Sequence, residues 1–441
     1  MEDAYIINGG KSLKGKIKLS GAKNVALKII IAGLLFDQEV ILKNIPRIKD
    51  VFELIGLIKS LGGEVRFTDK NIVMVDGRKM NKNKIDFLFG SKIRVSFMLF
   101  APLLHKFKKC LVPNPGGCRI GARPIDRIVE GMRSLGVMVD YNSNTGYYQA
   151  EINQPISGNY TFNKPSHTAT ELLVLLSIFG QGKIVLNNVA LEPEIDDLIN
   201  FLNQSGADIK RQANKILINP VKKLIQISPY TIVSDRNEAI TYATLAIATK
   251  GDITLFPLKK EAVAHFLAEL KKIGAGIEIK DNQEIRFYWQ GQIKSSTIET
   301  LPHPGFMTDW QPNWAVLMTQ AKGVSTITER VFENRFSYVE ELKKLGAKIE
   351  FLETKVKNPN KFFFFNYDLN KQYQQTIKIS GSRKLHEGAL TITDLRAGAT
   401  LAIAALIVNG QTIINGASIM ERGYENFVEK ITSLGGLIKK I

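Results

Sequence analysis

A leucine-like residue, a glycine and a β-prone segment recur in that order six times along the 441 residues of this chain. The copies are IKSLGGEV ending at Val65, MRSLGVMV at Val139, LNQSGADI at Ile209, KKIGAGIEI at Ile279, KKLGAKIEF at Phe351 and ITSLGGLI at Ile438. Each pattern predicts an amphipathic helix that stops at the glycine, used as a left-handed cap, with a strand after it. A second feature repeats in step. Apolar, small-residue helices run through a glycine turn into an alternating strand, as in ALKIIIAGLLFDQEVILKNI, ATELLVLLSIFGQGKIVLNNV, ITYATLAIATKGDITLFPL and GATLAIAALIVNGQTIINGA. Helices apolar on every side belong inside a core, whereas the leucine-glycine helices are one-sided and belong outside it. Each repeat of about 70 residues therefore reads as buried helix, strand, outer helix, strand. Six repeats fit two domains of three, and the halfway point falls near IVSDRNEAI, residues 232–240.

The rest of the composition narrows the class. Two cysteines, Cys110 and Cys118, are too few for a disulfide scaffold and point to a reducing compartment. MEDAYIINGG lacks a signal-peptide pattern, and the apolar run Ala397–Gly410 is shorter than the roughly 18 residues a membrane span needs. A soluble, cytoplasmic protein with no membrane partner is expected. The formal charge is +17, yet the lysines gather at helix ends such as Lys271–Lys272, Lys343–Lys344 and Lys439–Lys440. That distribution suits solvated C-terminal helix turns, and an anionic small molecule fits better than a nucleic acid. Cys118 lies in PNPGGCRIGARP just before Arg119 and Arg123, in an electropositive loop that favours a thiolate. Cys110, at the end of an apolar segment, reads as structural.

Eight short motifs then stand in order: LSGAKN (19–24), PGGCRIGARP (115–124), EPEI (192–195), DR-x-E (235–238), PHPGFMTDWQ (302–311), FENRF (332–336), TDLRA (393–397) and RGYE (422–425). With them the chain resembles the enolpyruvyl transferases essentially end to end, and within them the branch that acts on a UDP-sugar. The resemblance implies a two-domain inside-out α/β barrel, with helices at the centre of each domain and sheets outside. It implies an N-terminal domain over 23–233, and a C-terminal domain made of 1–22 with 234–441. The implied reaction moves the enolpyruvyl group of phosphoenolpyruvate to the 3′-hydroxyl of UDP-N-acetylglucosamine by addition and then elimination of phosphate. That is the first committed step of peptidoglycan synthesis, and it needs no cofactor and no metal.

The same resemblance implies roles for single residues. Cys118 is the candidate acid at C3 of phosphoenolpyruvate, Asp309 the candidate acceptor of the hydroxyl proton, and Lys23 a catalytic cation. Lys23, Asn24, Arg94, Arg123 and Arg422 fall where the family holds phosphoenolpyruvate. Asn24, Arg94, Arg123, Pro124, Ile125, Asp126, Lys164, Ser166, Asp309 and Val331 fall where it holds the UDP-sugar. Arg335, Asp394 and Arg396 are expected to support the site. Arginine's planar fork suits two-point contact with phosphate or carboxylate, and lysine offers a compact charge.

Three positions depart from the family pattern. His167 and Thr168, in KPSHTATE, stand where a small apolar residue and a glycine are usual, and Ile128 stands where a histidine is common. His167 is expected either to donate a compensating hydrogen bond or to face solvent. These departures keep open a related transferase using another nucleotide sugar, and a non-catalytic nucleotide-sugar-binding protein. A synthase acting on shikimate 3-phosphate shares the fold, but SGAKN and the cysteine loop argue against it. The sequence leaves the oligomeric state open.

Overall fold

The structure is a computed structural model that describes residues 3–116, 125–281 and 283–441. Its described residues form two compact units, one made of 21–116 with 125–233 and the other of 3–20 with 234–441.

The six outer helices are Lys49–Ser60, Asp126–Ser134, Pro193–Gln204, Ala264–Lys272, Tyr338–Lys344 and Phe427–Ser433. Two residues past each of them lies a repeat glycine, Gly62, Gly136, Gly206, Gly274, Gly346 or Gly435, with φ between 84° and 95°. At Gly136, Gly206, Gly274 and Gly435 an added Cβ would meet nothing within 4 Å. The left-handed backbone alone selects glycine there.

One sheet pattern repeats. In the Gly21–Val233 unit, Val40–Lys43 pairs parallel with Tyr230–Thr231 and antiparallel with Ile72–Asp76, which pairs antiparallel with Glu64–Asp69. Asn159–Thr161, Ile184–Asn187, Lys215–Asn219 and Asp208–Gln212 repeat this order. The sheet of Lys109–Pro113, Tyr147–Glu151 and Met138–Asn142 keeps its parallel edge only as a bridge from Lys84 to Leu111. In the other unit, Lys14–Lys18 is the parallel edge beside Asp252–Phe256, and Thr297–Glu299 the one beside Val324–Thr328. In the last sheet Ala4–Asn8 lies between Gln411–Asn415 and Leu437–Lys440, so the N-terminal strand completes the sixth repeat.

Inside the sheets lie the apolar helices Lys23–Gly33, His167–Ser177, Arg236–Ala248 and Leu395–Ile407. Two further inner elements are less regular: a 3₁₀ turn Arg94–Leu99 running into helix Phe100–Phe107, and the short helix Gln311–Thr319. Arg236–Ala248, Gln311–Thr319 and Leu395–Ile407 pack against one another. Asn313 ties them at their centre: its Nδ2 donates to Thr241 Oγ1 at 3.0 Å, and its Oδ1 accepts from Thr400 Oγ1 at 2.9 Å. All three side chains are buried, so satisfying these polar groups fixes the register of the three helices.

The chain leaves each unit at a clamped residue. Glu238 accepts from the Ser20 N–H at 2.7 Å and from Lys430 Nζ at 2.6 Å. Asp197 accepts from the Val233 N–H at 3.2 Å and from the Tyr230 hydroxyl at 2.8 Å.

Candidate functional site

In the Gly21–Val233 unit most of the described candidate residues sit at or just before the starts of inner elements, and Asp126 opens an outer helix. Lys23 opens helix Lys23–Gly33, with Asn24 after it, and Lys23 Nζ lies 2.7 Å from Asp50 Oδ2. Asp50 is in the first turn of Lys49–Ser60, where the helix dipole favours a carboxylate, and both partners are largely buried. The pair holds the ammonium in one place. Arg94, half-buried, opens the 3₁₀ turn Arg94–Leu99.

Lys164 and Ser166 lead into helix His167–Ser177, and Ser166 is the N-cap, with no capping bond from its side chain. Asp126 is exposed at the start of Asp126–Ser134, whereas the Ile125 and Ile128 side chains lie in the core. Ile128 is therefore a packing residue, and any role of Ile125 falls to its backbone. Arg127, between them, donates to the Pro165 carbonyl at 3.5 Å and so reaches the Lys164–Ser166 stretch. Burial lowers the pKa of both Lys164 and Arg127, and Arg127 adds to the lowering at Lys164. Two partly desolvated cations side by side favour an anion.

Cys118, Arg123 and Pro124 lie outside the described residues, as does Arg119. The base of their loop is described. A Cβ on Gly116 would lie 1.5 Å from the Ser91 carbonyl oxygen, so glycine is required there for close backbone approach. Cys110 is fully buried, and burial pushes its thiol pKa far up, as suits a structural residue.

In the other unit one network gathers the candidates. Asp309, in the turn before Gln311–Thr319, receives Arg335 Nη2 on Oδ1 at 2.6 Å, and Arg396 Nε lies 3.5 Å from its Oδ2. Arg335 Nη1 donates to Thr308 Oγ1 at 2.7 Å. Burial opposes the Arg335 charge, but Asp309, Glu329 and Asp394 outweigh it and raise the pKa. Arg396 is buried as well, and its Nη1 donates to the Tyr424 hydroxyl at 3.1 Å, which joins the RGYE stretch to the network. Asp394 caps Leu395–Ile407 by accepting from the N–H groups of Arg396 and Ala397 at 2.9 and 3.0 Å. The Val331 N–H donates to Glu329 Oε1 at 2.8 Å, which fixes the backbone at that residue. Arg422, half-buried, follows the short helix Ala417–Met420. Among the described residues no group of His, Cys, Asp and Glu has a metal-binding arrangement, and no helix is long and apolar enough to cross a membrane.

The model of the family described as EPSP synthase (3-phosphoshikimate 1-carboxyvinyltransferase) matches residues 7–431. The chain belongs to this family. A relative from Wolbachia pipientis wMel, named UDP-N-acetylglucosamine 1-carboxyvinyltransferase, is 37% identical over 99% of this chain and 98% of its own length. One from Carboxydothermus hydrogenoformans, named UDP-N-acetylglucosamine 1-carboxyvinyltransferase 1, is 37% identical over 100% of this chain and 99% of its own. Among solved structures, the enolpyruvyl transferase NikO from Streptomyces tendae superposes with a TM-score of 0.86 at 20% identity, covering 100% of this chain and 99% of that one. EPSP synthase from Acinetobacter baumannii gives 0.70 at 18% identity, covering 100% of both chains. The two structures bear on the fold, which is that of the enolpyruvyl transferases.

Against that family background, Asp50, Glu329 and Arg127 carry no expectation from sequence. Glu329 is fully buried and accepts from the Val331 and Phe332 N–H groups and from the Thr308 hydroxyl, at 2.8, 3.0 and 2.8 Å. It thereby shapes the turn that carries Val331 and anchors the threonine on which Arg335 rests. The signal available in the sequence was its place three residues before FENRF. Arg127, just past the cysteine-loop motif, is another, and the motifs assign it no role. His167 does not face solvent: its ring turns inward onto Glu171.

Proposed function

We propose that this enolpyruvyl transferase moves the enolpyruvyl group of phosphoenolpyruvate to the 3′-hydroxyl of UDP-N-acetylglucosamine, releasing phosphate, in the cytoplasm and as an early step of peptidoglycan precursor synthesis. The observation that carries the reading is full-length kinship, at 34–37% identity, to relatives named for that acceptor. The geometry of the clusters is in keeping with it.

The chemistry assigns the residues. A proton delivered to C3 of the enol ether makes a methyl group and leaves C2 cation-like, which suits Cys118 as the acid. The sugar hydroxyl attacks C2, and its proton passes to Asp309, whose carboxylate is aimed by Arg335 and Arg396. A proton then leaves C3, the C2–O bond to phosphate breaks, and the enol ether is restored on the sugar. Lys23, fixed by Asp50, together with Arg94, Arg123 and Arg422, holds the phosphate and carboxylate of phosphoenolpyruvate. Lys164 and Ser166, with Arg127 beside them, hold the diphosphate. Asn24, Asp126, the backbone of Pro124 and Ile125, and Val331 orient the rest of the acceptor.

Parallel assays of phosphate release from phosphoenolpyruvate test the acceptor. The expected result is release with UDP-N-acetylglucosamine and none with shikimate 3-phosphate. Release with shikimate 3-phosphate, or only with a different UDP-sugar, overturns the reading.

A further inference from the structure

The Gly21–Val233 unit buries a charged cluster that none of these roles uses. Glu171, on inner helix His167–Ser177, has no exposed surface, and its carboxylate meets two cations. Lys28 Nζ, from inner helix Lys23–Gly33, lies 2.9 Å from Oε2, and His167 Nε2 lies 3.2 Å from Oε1. Lys28 is 8% exposed in its side chain and His167 23%. A fourth group, Glu192, is buried just before helix Pro193–Gln204, and its Oε2 has no hydrogen-bond partner among the described residues. The groups that act on the imidazole are thus Glu171 from its own helix, Lys28 from the first inner helix and Glu192 from the start of the outer one.

Counting charge decides what the imidazole does. With His167 protonated, the two cations on Glu171 balance its charge together with that of Glu192, which acts on the imidazole. With His167 neutral, Lys28 is the one cation left to offset Glu171, which it touches, and Glu192, so one negative charge is left over in a poorly solvated place. Burial disfavours the imidazolium, but Glu171 more than offsets it, and the His167 pKa is raised above its ordinary value of 6.5. The leftover charge would fall in a sensitive position. His167 follows Lys164 and Ser166 directly, and Lys28 lies one helical turn from Asn24.

We infer that His167 is a positioning residue for the acceptor: its charged imidazole cancels the buried Glu171 and Glu192 carboxylates beneath the turn that receives the diphosphate. The inference rests on the proposed UDP-sugar acceptor. It gives the departure from the family pattern at this position a function, which is to make acceptor affinity depend on pH while the phosphoenolpyruvate end stays indifferent. With an effective dielectric of about 20, one unit charge two helical turns away changes the affinity for each phosphate charge by roughly tenfold, so the effect on a diphosphate is roughly tenfold or more.

The test is calorimetric titration of the full chain with UDP-N-acetylglucosamine, whose diphosphate has no proton to lose between about pH 6 and about pH 9. The wild type is expected to weaken by roughly tenfold or more across that range, with the KM for phosphoenolpyruvate at each pH the same in the wild type and in His167→Gln. His167→Gln is expected to bind as weakly at low pH as the wild type does at high pH. His167→Gln combined with Glu171→Gln, which restores the balance between Lys28 and Glu192, is expected to recover affinity and to lose the pH dependence. A merely structural histidine would not be rescued by a second substitution that removes its partner. Binding that is flat with pH in the wild type, or a double variant no tighter than His167→Gln, overturns the inference and leaves the acceptor reading standing. No binding at any pH overturns both. If His167→Gln fails to fold, the wild-type profile and Glu171→Gln alone, expected to bind tightly and without pH dependence, decide the matter.

Discussion

Replacing Glu329 tests whether one buried carboxylate organises the Asp309 network. It accepts three hydrogen bonds, from two backbone N–H groups and the Thr308 hydroxyl, and lies beside the buried Arg335 guanidinium. Glu329→Ala strands those donors and leaves Arg335 with less compensating charge. At roughly 1–3 kcal/mol for each buried group left unpaired, partly relieved by entering water, the expected loss is about 3–5 kcal/mol. Glu329→Gln keeps a carbonyl for both N–H groups and an amide able to donate to Thr308 Oγ1, so its expected loss is about 1 kcal/mol. The assay is urea unfolding followed by tryptophan fluorescence. All three tryptophans, Trp289, Trp310 and Trp314, belong to the unit that contains Glu329, so the signal reads that unit alone. Phosphate release should fall with Glu329→Ala even where the protein remains folded, because Thr308 no longer fixes Arg335 against Asp309. A loss below about 1 kcal/mol for Glu329→Ala, or equal losses for the two variants, would refute the reasoning.

Three further outcomes are expected. Asn313→Ala removes the link among three inner helices and opens a small cavity, so the same fluorescence transition should lose about 2–4 kcal/mol; an unchanged midpoint contradicts a structural role for the link. The His167 pKa is raised in the folded state, so its stabilisation is full below about pH 6.5 and is lost as pH rises through the folded value. The Glu171 pKa is lowered, so its contribution is full above about pH 4.5 and is lost as pH falls through the folded value. Hydrogen exchange in His167–Ser177 should therefore quicken toward both extremes beyond its intrinsic trend, and Glu171→Gln should flatten both limbs. Gly116→Ala places a Cβ against the Ser91 carbonyl oxygen, so the base of the cysteine loop must shift. Turnover should drop by an order of magnitude or more, with the unfolding midpoint nearly intact; full turnover would show that the contact is dispensable.

The parts of the fold legible in the sequence are those governed by local backbone chemistry. The six cap glycines stand at predicted helix ends because a left-handed residue favours glycine whatever surrounds it. Four inner helices were legible because nothing but burial explains their all-round apolarity. The other two were hidden by composition: Pro102 interrupts the stretch Arg94–Phe107, and Gln311–Thr319 is only nine residues long. The pairing of Ala4–Asn8 with Gln411–Asn415 joins residues about 400 apart, and local pattern carries no trace of it. At the site, the motifs bring forward Asp309, Arg335, Asp394 and Arg396, and the structure gathers these four into one network. Motif position was uninformative about partners. Glu329 and Glu171 act by accepting bonds or charge from residues distant in sequence, so a lone glutamate on a predicted strand end or helix looked ordinary. Ile128 departs from the family pattern in sequence, and its side chain lies in the core.

The most direct test of the proposed reaction is mass analysis of the acceptor after turnover in deuterium oxide. Addition and elimination convert C3 of phosphoenolpyruvate into a methyl group and then remove one of its protons, so solvent deuterium must enter the transferred vinyl group. The account predicts UDP-N-acetylglucosamine carrying an enolpyruvyl ether labelled with deuterium, formed one for one with phosphate. An unlabelled ether would contradict the addition step, and an acceptor of unchanged mass would contradict the proposed function itself.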